Sequence, residues 1–226
     1  MTVTAHPSAA YGQACDHALA PAHGREGHAP VASNIFWHAG KVSAHSRQAC
    51  LGHQPPTIWL TGLSGAGKST IAYELEKLLL EDGKACFVLD GDNIRHHLNS
   101  DLGFSATDRR ENIRRTAEVA RLMNEAGLIV VTSFISPFRE DRAMAGDIIG
   151  KDRFFEVYVS ASIDVCEARD PKGLYAKARA GKIPEFTGIS SPYEPPLRPA
   201  LTIDTGALRL EDATRALFTH LAPQLA

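Results

Sequence analysis

Residues 62–70, GLSGAGKST, carry the strongest structural signal in this sequence. They match the pattern Gly-x4-Gly-Lys-Ser/Thr, the P-loop, whose backbone N–H groups and lysine bind the phosphates of a nucleotide. The apolar run 57–61 precedes them and predicts a buried strand, and a helical pattern with Ile71, Leu75 and Leu79 follows. Because no guanine motif of the NKxD type is present, ATP is the expected nucleotide. The predicted ATP-binding residues of this loop are Gly62, Leu63, Ser64, Gly65, Ala66, Gly67, Lys68, Ser69 and Thr70.

Strands and helical patterns alternate along the rest of the chain. Continuous apolar strands of this kind are typical of a parallel sheet that is covered by helices on both faces. We therefore expect an α/β protein of the P-loop NTPase fold, with a five-stranded parallel sheet, helices on both faces and a lid segment. The predicted strands are 57–61, 85–89, 128–134, 155–159 and 200–204.

Capping signals predict where the helices begin. Asp108 and Glu111 have the spacing of a capping box, which predicts the start of a long helix. Ser136 and Pro137 predict the N-cap and the first turn of the next helix. A final helical pattern covers residues 210–225.

The composition excludes several classes of protein. The 226 residues include 24 Lys and Arg against 26 Asp and Glu, a net charge of −2, which argues against a nucleic-acid partner. No apolar run approaches the ~18–20 residues that cross a bilayer, so no membrane partner is expected. The N-terminus lacks the features of a secretory signal, and the four cysteines show neither zinc nor disulfide spacing. These features predict a cytoplasmic protein.

The N-terminal part differs in composition from the remainder. Residues 1–33 are rich in Ala and His without an apolar period and predict a disordered tail, followed by an N-terminal lead-in at 34–56 and a P-loop domain at 57–226. Seven of the ten histidines lie in the first 53 residues, so a metal site is the alternative for the tail. Their irregular spacing favours disorder.

Two acids follow the second predicted strand, at the edge of the sheet where ligands gather. An acid at Asp90 or Asp92 can accept the proton of an attacking hydroxyl or hold Mg²⁺. The composition Asp-Gly-Asp-Asn is also typical of a turn, and the two interpretations are compatible. Ser69 of the P-loop and Asp90 are the predicted Mg²⁺ ligands.

Arginines and loop aromatics predict a second binding region. Eight arginines and no lysine lie in residues 95–142, which favours planar recognition of anions. A solvated helix face explains some of them, with Arg110, Arg114 and Arg121 as the surface candidates. Phe104 and Phe186 lie in glycine-flanked loops. Two interpretations are open for them: packing in the local core, or stacking on the flat base of a substrate. The stretch 169–199 is rich in Pro and Gly, and with Lys172 it predicts a basic lid. The eight arginines are Arg95, Arg109, Arg110, Arg114, Arg115, Arg121, Arg139 and Arg142.

With these motifs the sequence closely resembles the adenylylsulfate kinase (APS kinase) family from about residue 34 to the C-terminus. Besides the P-loop, the resemblance rests on four more restrictive blocks. They are NIFWH at 34–38, LDGDNIRHHLNSDLGFSATDRRENIRR at 89–115, FISPFREDR at 134–142 and RDPKGLYAKARAGKIPEFTGISSPYEPP at 169–196. The resemblance implies transfer of the γ-phosphoryl of ATP, with Mg²⁺, to the 3′-hydroxyl of adenosine 5′-phosphosulfate (APS). The product would be PAPS, in sulfate assimilation.

The resemblance also implies roles for individual residues. Asp92 would be the base on the 3′-hydroxyl, Lys68 would act on the phosphates, and Thr205 and Ala207 would lie near the ATP adenine. Ser136 is described in the family as a phosphorylated intermediate, whereas direct in-line transfer needs only positioning and charge neutralisation. The implied substrate-binding residues are Asp90, Arg95, Phe104, Arg109, Asn112, Ile135, Ser136, Lys172 and Phe186. The implied partners are ATP, APS, a second copy in a homodimer, and functionally an ATP sulfurylase.

Two other functions stay open on the sequence alone. A kinase-like regulatory domain would bind APS or PAPS without catalysis, but such a domain is expected to lack the P-loop lysine or the base. Lys68, Ser69, Asp90 and Asp92 are all present. Another small-molecule P-loop kinase would explain residues 62–70 but not the other blocks.

Overall fold

The computed structural model describes residues 34–36, 38 and 40–225. Contacts divide the chain into two units, Met1–Gly40 and Lys41–Ala226. The predicted tail, residues 1–33, lies outside the described residues. The sheet and the helices of the described part all belong to the second unit.

The strands form one parallel sheet in the described part of the chain. They are β1 (Thr57–Thr61), β2 (Cys86–Asp90), β3 (Ile129–Ser133), β4 (Phe154–Ser160) and β5 (Leu201–Asp204). Their order is β2-β3-β1-β4-β5, and each neighbouring pair is parallel, which confirms the predicted sheet. The central strand β1 is buried at every position, and this burial explains its continuous apolar sequence.

Helices cover both faces of the sheet, as predicted. They are α1 (Ala44–Leu51), α2 (Lys68–Glu81), α3 (Gly91–His96), α4 (Ala106–Glu125), α5 (Arg139–Ile149), α6 (Ile163–Arg169), α7 (Leu174–Arg179) and α8 (Leu210–Leu225). One core joins α2 and α8 to the sheet through residues such as Leu75 and Leu217. A second core joins α4 and α5 to the opposite face through Ile113 and Ala145. No helix of the described part is long and apolar enough to span a membrane.

Helix α4 begins earlier than the sequence predicted. Ser105 is its N-cap, because the Ser105 hydroxyl accepts a hydrogen bond from the backbone N–H of Asp108 and donates one to the Asp108 carboxylate. The prediction that Asp108 opens the helix was therefore wrong, because Ser105 caps it and Asp108 lies in its first turn. Ser105 and Asp108 have the spacing of a capping box, but the second bond comes from the serine hydroxyl and not from the backbone N–H of the N-cap residue.

The turn between β3 and α5 also differs from the prediction. Helix α5 begins at Arg139 with Phe138 as its N-cap, so Ser136 does not cap it. Ser136 has a φ of 40°, in the left-handed region that few side chains adopt. The short helices α3, α6 and α7 were not predicted, because six or seven residues show too little periodicity.

Candidate active site

A cleft of about 920 Å³ lies at the carboxyl ends of the central strands. The P-loop, the start of α3, the loop before α4, the turn after β3 and the lid segment (residues 169–199) all contribute to its lining. The predicted site residues that line it are Ser64, Gly65, Gly67, Lys68, Ser69, Thr70, Asp90, Asp92, Arg95, Phe104, Arg109, Asn112, Ile135, Ser136, Lys172, Phe186 and Thr205. Gly62, Leu63, Ala66 and Ala207 are not part of the lining.

The P-loop takes its shape from backbone that passes close to neighbouring elements. Gly62 has a φ of 151°, and a Cβ there would lie 2.3 Å from the carbonyl oxygen of Val159. At Gly65, with a φ of 75°, a Cβ would lie 2.9 Å from the carbonyl oxygen of Cys166. Side chains at these positions would force the loop away from β4 and α6. The loop leads into the N-terminus of α2, whose free N–H groups favour an anion.

Lys68 and Ser69 begin α2 and face other polar groups of the cleft. The Lys68 ammonium is buried and donates to the carbonyl oxygens of Gly62 at 2.9 Å and Leu63 at 2.7 Å. Burial lowers the pKa of Lys68 to about 8, although nearby Asp90 opposes this shift. Ser69 donates a 2.8 Å hydrogen bond to Asp90 Oδ2, so two hard oxygen ligands meet beside the P-loop.

The two predicted acids have different surroundings. Asp90 is buried at the end of β2, and its Oδ1 accepts hydrogen bonds from the backbone N–H groups of Asp92 and Asn93. It thereby caps α3 and fixes the start of that helix. Asp92, in the first turn of α3, is exposed and forms an ion pair with Lys172 of the lid segment. The lid segment and the sheet edge therefore meet at this carboxylate.

Arg95 holds the aromatic loop before α4. Its guanidinium lies 4.4 Å from the ring centroid of Phe104, a cation–π contact, and donates to the carbonyl oxygens of Leu102 and Gly103. Burial lowers the pKa of Arg95, and neighbouring Arg109 lowers it further. Two guanidinium groups therefore lie at this end of the cleft, with the carboxylates of Asp92 and Asp108 near Arg95.

Arg109 ties the two aromatic loops together. Its Nε donates to the carbonyl oxygen of Phe104 at 2.7 Å, and its terminal nitrogens donate to Thr187 Oγ1 at 2.6 Å and to the carbonyl oxygen of Glu185. Phe104 is largely exposed, whereas Phe186 is buried with an edge-to-face contact to Tyr175. The cleft therefore has an aromatic residue from each loop, with one arginine between the loops.

The remaining six arginines of this stretch do not line the cleft. Arg110, Arg114, Arg115 and Arg121 form ion pairs with carboxylates at or near the surface of α4. These four arginines match the alternative interpretation of the sequence, in which they form a solvated helix face. Arg139 contacts Glu194 and Pro195, and Arg142 is buried.

Asn112 and Ser136 line the cleft but also bond inside the protein. Asn112 Oδ1 accepts a 2.9 Å hydrogen bond from buried Asn99, which leaves the Asn112 amide N–H₂ as the available donor. Ser136 is buried, and its hydroxyl oxygen accepts a 3.1 Å hydrogen bond from the indole N–H of Trp59. The Ser136 side chain therefore supports the wall of the cleft through Trp59.

Two residues of the lid segment bond to the P-loop, and the sequence predicted neither contact. Arg169 donates to the carbonyl oxygen of Gly65 and to both oxygens of Thr205, which joins the P-loop to the segment after β5. The Tyr175 hydroxyl donates a 2.9 Å bond to the carbonyl oxygen of Ser64. Arg169 opens the block at 169–196, but nothing in its local sequence separates it from a surface arginine.

Comparison with known proteins identifies the family. The family model described as adenylylsulphate kinase matches residues 54–204. The chain belongs to the adenylylsulphate kinase family. The adenylyl-sulfate kinase of Prochlorococcus marinus is 54% identical over 190 residues, which cover 84% of this chain and 94% of that relative.

Solved structures of the family share the fold. The Mycobacterium tuberculosis APS kinase CysC, in complex with AMPPNP and APS, is 47% identical with a TM-score of 0.72, and the match covers 74% of this chain and 98% of that one. A hexameric APS kinase from Thiobacillus denitrificans is 32% identical with a TM-score of 0.58 over 76% of this chain and 29% of its own. The sequence predicted a P-loop NTPase fold and kinase chemistry for this chain, and its membership of the APS kinase family confirms both.

Proposed function

We propose that this member of the APS kinase family transfers the γ-phosphoryl group of ATP to the 3′-hydroxyl of APS, which yields PAPS and ADP. One observation carries the proposal: a single cleft joins a P-loop to a carboxylate, two arginines and two loop aromatics. The P-loop supplies a site for a triphosphate, and the opposite end matches a nucleotide with an anionic sulfate–phosphate group. The reaction would serve sulfate assimilation.

The ATP site is assigned to the P-loop and its neighbours. Backbone N–H groups of residues 62–70 would surround the phosphates, and the Lys68 ammonium would leave its two carbonyl partners to bind the β- and γ-phosphates. Thr205, which Arg169 joins to the P-loop, is assigned to the adenine end, with exposed Ala207 at its rim.

Mg²⁺ is the metal that suits the oxygens beside the P-loop. Ser69 Oγ and Asp90 Oδ2 lie 2.8 Å apart, and a hydroxyl with one carboxylate is a donor set typical of Mg²⁺ bound with phosphates. When bound, the ion supplies charge neutralisation for the β- and γ-phosphate oxygens. Asp90 is held for this role by the two N–H groups of α3.

The APS site is assigned to the opposite end. Phe104 and Phe186 would stack on the APS adenine, and Arg95 and Arg109 would bind the phosphosulfate with the Asn112 amide. The remaining assigned residues are Asp90, Ile135, Ser136 and Lys172. Since Arg109 already bonds to both aromatic loops, APS binding would reorganise contacts that exist without it.

Asp92 is assigned as the general base. It would accept the proton of the 3′-hydroxyl while the O3′–phosphorus bond forms and the bond to the ADP oxygen breaks. Its ion-pair partner Lys172 would leave this carboxylate and move to the incoming anion. We propose direct transfer, because Trp59 occupies the Ser136 oxygen with a hydrogen bond and burial disfavours a phosphoserine dianion there.

The test is an assay of the full chain with ATP, Mg²⁺ and APS. We expect PAPS and ADP to form in equal amounts, with no PAPS when either Mg²⁺ or APS is left out. Binding of APS or PAPS without turnover would instead favour a regulatory domain. Turnover of another small acceptor, with APS inert, would favour a different small-molecule kinase.

The assembly and setting of the protein are also proposals. We propose that residues 57–226 form the catalytic domain, that 34–56 form a lead-in, and that two copies form a homodimer in the cytoplasm. An ATP sulfurylase would supply APS to it. Size-exclusion chromatography with light scattering should give twice the chain mass, and a monomer mass would exclude the dimer.

A further inference from the structure

Arg142 on α5 is buried, with 2% of its side chain exposed, and does not line the cleft. Its guanidinium donates hydrogen bonds to three separate segments. Nε donates to Glu156 Oε1 on β4 at 2.6 Å, and the terminal nitrogens donate to the carbonyl oxygens of Ser136 at 2.6 Å and Glu194 at 2.7 Å. A planar fork of donors suits three such acceptors, and a lysine cannot reach them together.

The two carbonyl partners of Arg142 belong to segments that matter for the cleft. Ser136 lies in the turn 135–137, which lines the cleft, and its φ of 40° is one that a serine keeps only when its surroundings hold it. Glu194 lies near the end of the lid segment. Arg142 therefore fixes a wall of the cleft and an anchor of the lid segment at the same time.

Further bonds join these two segments to each other. The backbone N–H of Glu194 donates to the carbonyl oxygen of Pro137 at 2.9 Å. The Tyr193 hydroxyl lies 3.0 Å from Thr61 Oγ1, and Thr61 donates to the carbonyl oxygen of Ile135 at 2.7 Å. Thr61 directly precedes the P-loop, so the end of the lid segment, the cleft wall and the end of β1 meet around Arg142.

We propose that Arg142 is a positioning residue for the acceptor half of the reaction: through the carbonyls of Ser136 and Glu194 it sets the cleft wall and the lid anchor against which APS is held. This inference rests on the proposed function, because it concerns the acceptor site of that reaction. No hydrogen bond joins Arg142 to residues 62–70, so we expect the loss of its bonds to change ATP binding much less than APS binding.

Two matched variants separate positioning from simple stabilisation. Arg142→Lys keeps a positive charge beside Glu156 but loses the fork to the two carbonyls. Glu156→Gln keeps an acceptor for Nε and both carbonyl bonds while it removes the buried charge partner. Both are expected to lower the melting temperature, but only Arg142→Lys should change the acceptor site.

The expected result for Arg142→Lys is a rise of roughly tenfold or more in KM for APS, because small misplacements of bound groups are costly. KM for ATP should stay within about twofold of wild type, and Glu156→Gln should leave both constants near wild type. If Arg142→Lys leaves the ratio of the two KM values unchanged, or if Glu156→Gln shifts that ratio equally, the inference is overturned.

A double variant replaces Arg142→Lys if that variant does not fold. Arg142→Met with Glu156→Met removes the same carbonyl bonds without leaving a buried unpaired charge, and the same outcomes apply.

Hydrogen exchange distinguishes failure of this inference from failure of the proposed function. In Arg142→Lys the amides of residues 133–136, of Phe138, and of Tyr193 and Glu194 should exchange faster than in Glu156→Gln, with residues 57–60 unchanged. This result is independent of turnover. Wild-type protein without APS turnover would reject the proposed function alone, whereas equal exchange in the two variants would reject the role of Arg142.

Discussion

The two ends of the cleft are built in different ways. The phosphate end consists of nine consecutive residues, shaped by backbone and by glycines that pass within contact distance of β4 and α6. We assign the acceptor end to side chains from three regions, which are residues 90–112 from α3 to the start of α4, the turn 135–137 and the lid segment. There Asp92 and Lys172 are 65% and 58% exposed, and Arg109 reaches Thr187, 78 residues away in the sequence.

The proposed binding sites for the two substrates therefore depend on different kinds of structure. The phosphate end is specified locally, because a strand, a loop and a helix in succession fix its geometry. The acceptor end exists only where three distant segments meet, and its contacts are mostly hydrogen bonds made by exposed or half-buried side chains. Changes at the acceptor end should therefore alter the use of APS while ATP binding survives.

The largest effect is expected at Asp92, where the two ends meet. In Asp92→Asn the amide cannot accept the proton of the 3′-hydroxyl, so kcat should fall by about 10²–10⁴-fold, the usual contribution of a general base. Affinity for AMPPNP, measured by calorimetry, should remain near wild type. The exposed acid Asp152 gives a matched control, Asp152→Asn, with unchanged kcat. A kcat for Asp92→Asn within tenfold of wild type would remove Asp92 as the base.

The next effect isolates the acceptor end. Arg109→Lys loses the fork that bonds to Phe104, Thr187 and Glu185, so KM for APS should rise by about 10–100-fold. Steady-state kinetics should show KM for ATP nearly unchanged. Arg121→Lys on the exterior of α4 is the control. Equal rises in both KM values would mean that the two ends are not independent.

A pH experiment isolates the phosphate end. Burial lowers the pKa of Lys68 to about 8, so before a nucleotide binds the lysine is mostly charged at pH 7 and mostly neutral at pH 9. Phosphates require the charged form, so AMPPNP affinity should fall about tenfold from pH 7 to pH 9, and binding at pH 9 should take up a proton. Calorimetry in buffers of different ionisation enthalpy measures this uptake. Lys68→Met should abolish it, and wild-type binding at pH 9 without proton uptake would refute the linkage.

The smallest effect is expected at Ser136. Ser136→Ala removes the acceptor for the Trp59 indole N–H, which should cost about 1–3 kcal/mol of unfolding free energy, because a buried donor is left without a partner. We expect kcat to stay within about threefold of wild type, because in the proposed direct transfer the hydroxyl would form no bond to the phosphoryl group. A loss of more than a hundredfold in a folded variant would support a phosphoserine.

The sequence predicted the phosphate end more fully than the acceptor end, for a physical reason. The P-loop and the strands β1 to β5 follow from local patterns, and their predicted positions agree with the structure to within one or two residues. Helical spacing marked Arg110, Arg114 and Arg121 as surface candidates, but no pattern separated Arg95 and Arg109 from Arg115, Arg139 and Arg142. The position of Arg95 and Arg109 in the cleft depends on bonds to carbonyls of loops 102–104 and 185–187.

The turn 135–137 is a second part of the site that local sequence patterns did not predict. Ser136 followed by Pro137 has the sequence of a helix start, and local preference alone predicts one. In the structure, Arg142 and Trp59 bind the carbonyl and hydroxyl of Ser136, and these bonds hold the serine in a left-handed conformation. Hydrogen bonds from Arg142, six residues further on, and from Trp59, 77 residues earlier, override the local helix-start signal, and sequence preference alone does not reveal them.

The most direct test of the account is the stereochemistry of the transferred phosphorus. ATP made chiral at the γ-phosphoryl group by oxygen isotopes and sulfur would be incubated with Mg²⁺, APS and the full chain, and the configuration of the 3′-phosphoryl product determined. Because the cleft brings the P-loop and Asp92 together for a single in-line step, we predict inversion of configuration. Retention would require two successive transfers through a covalent intermediate and would contradict the account.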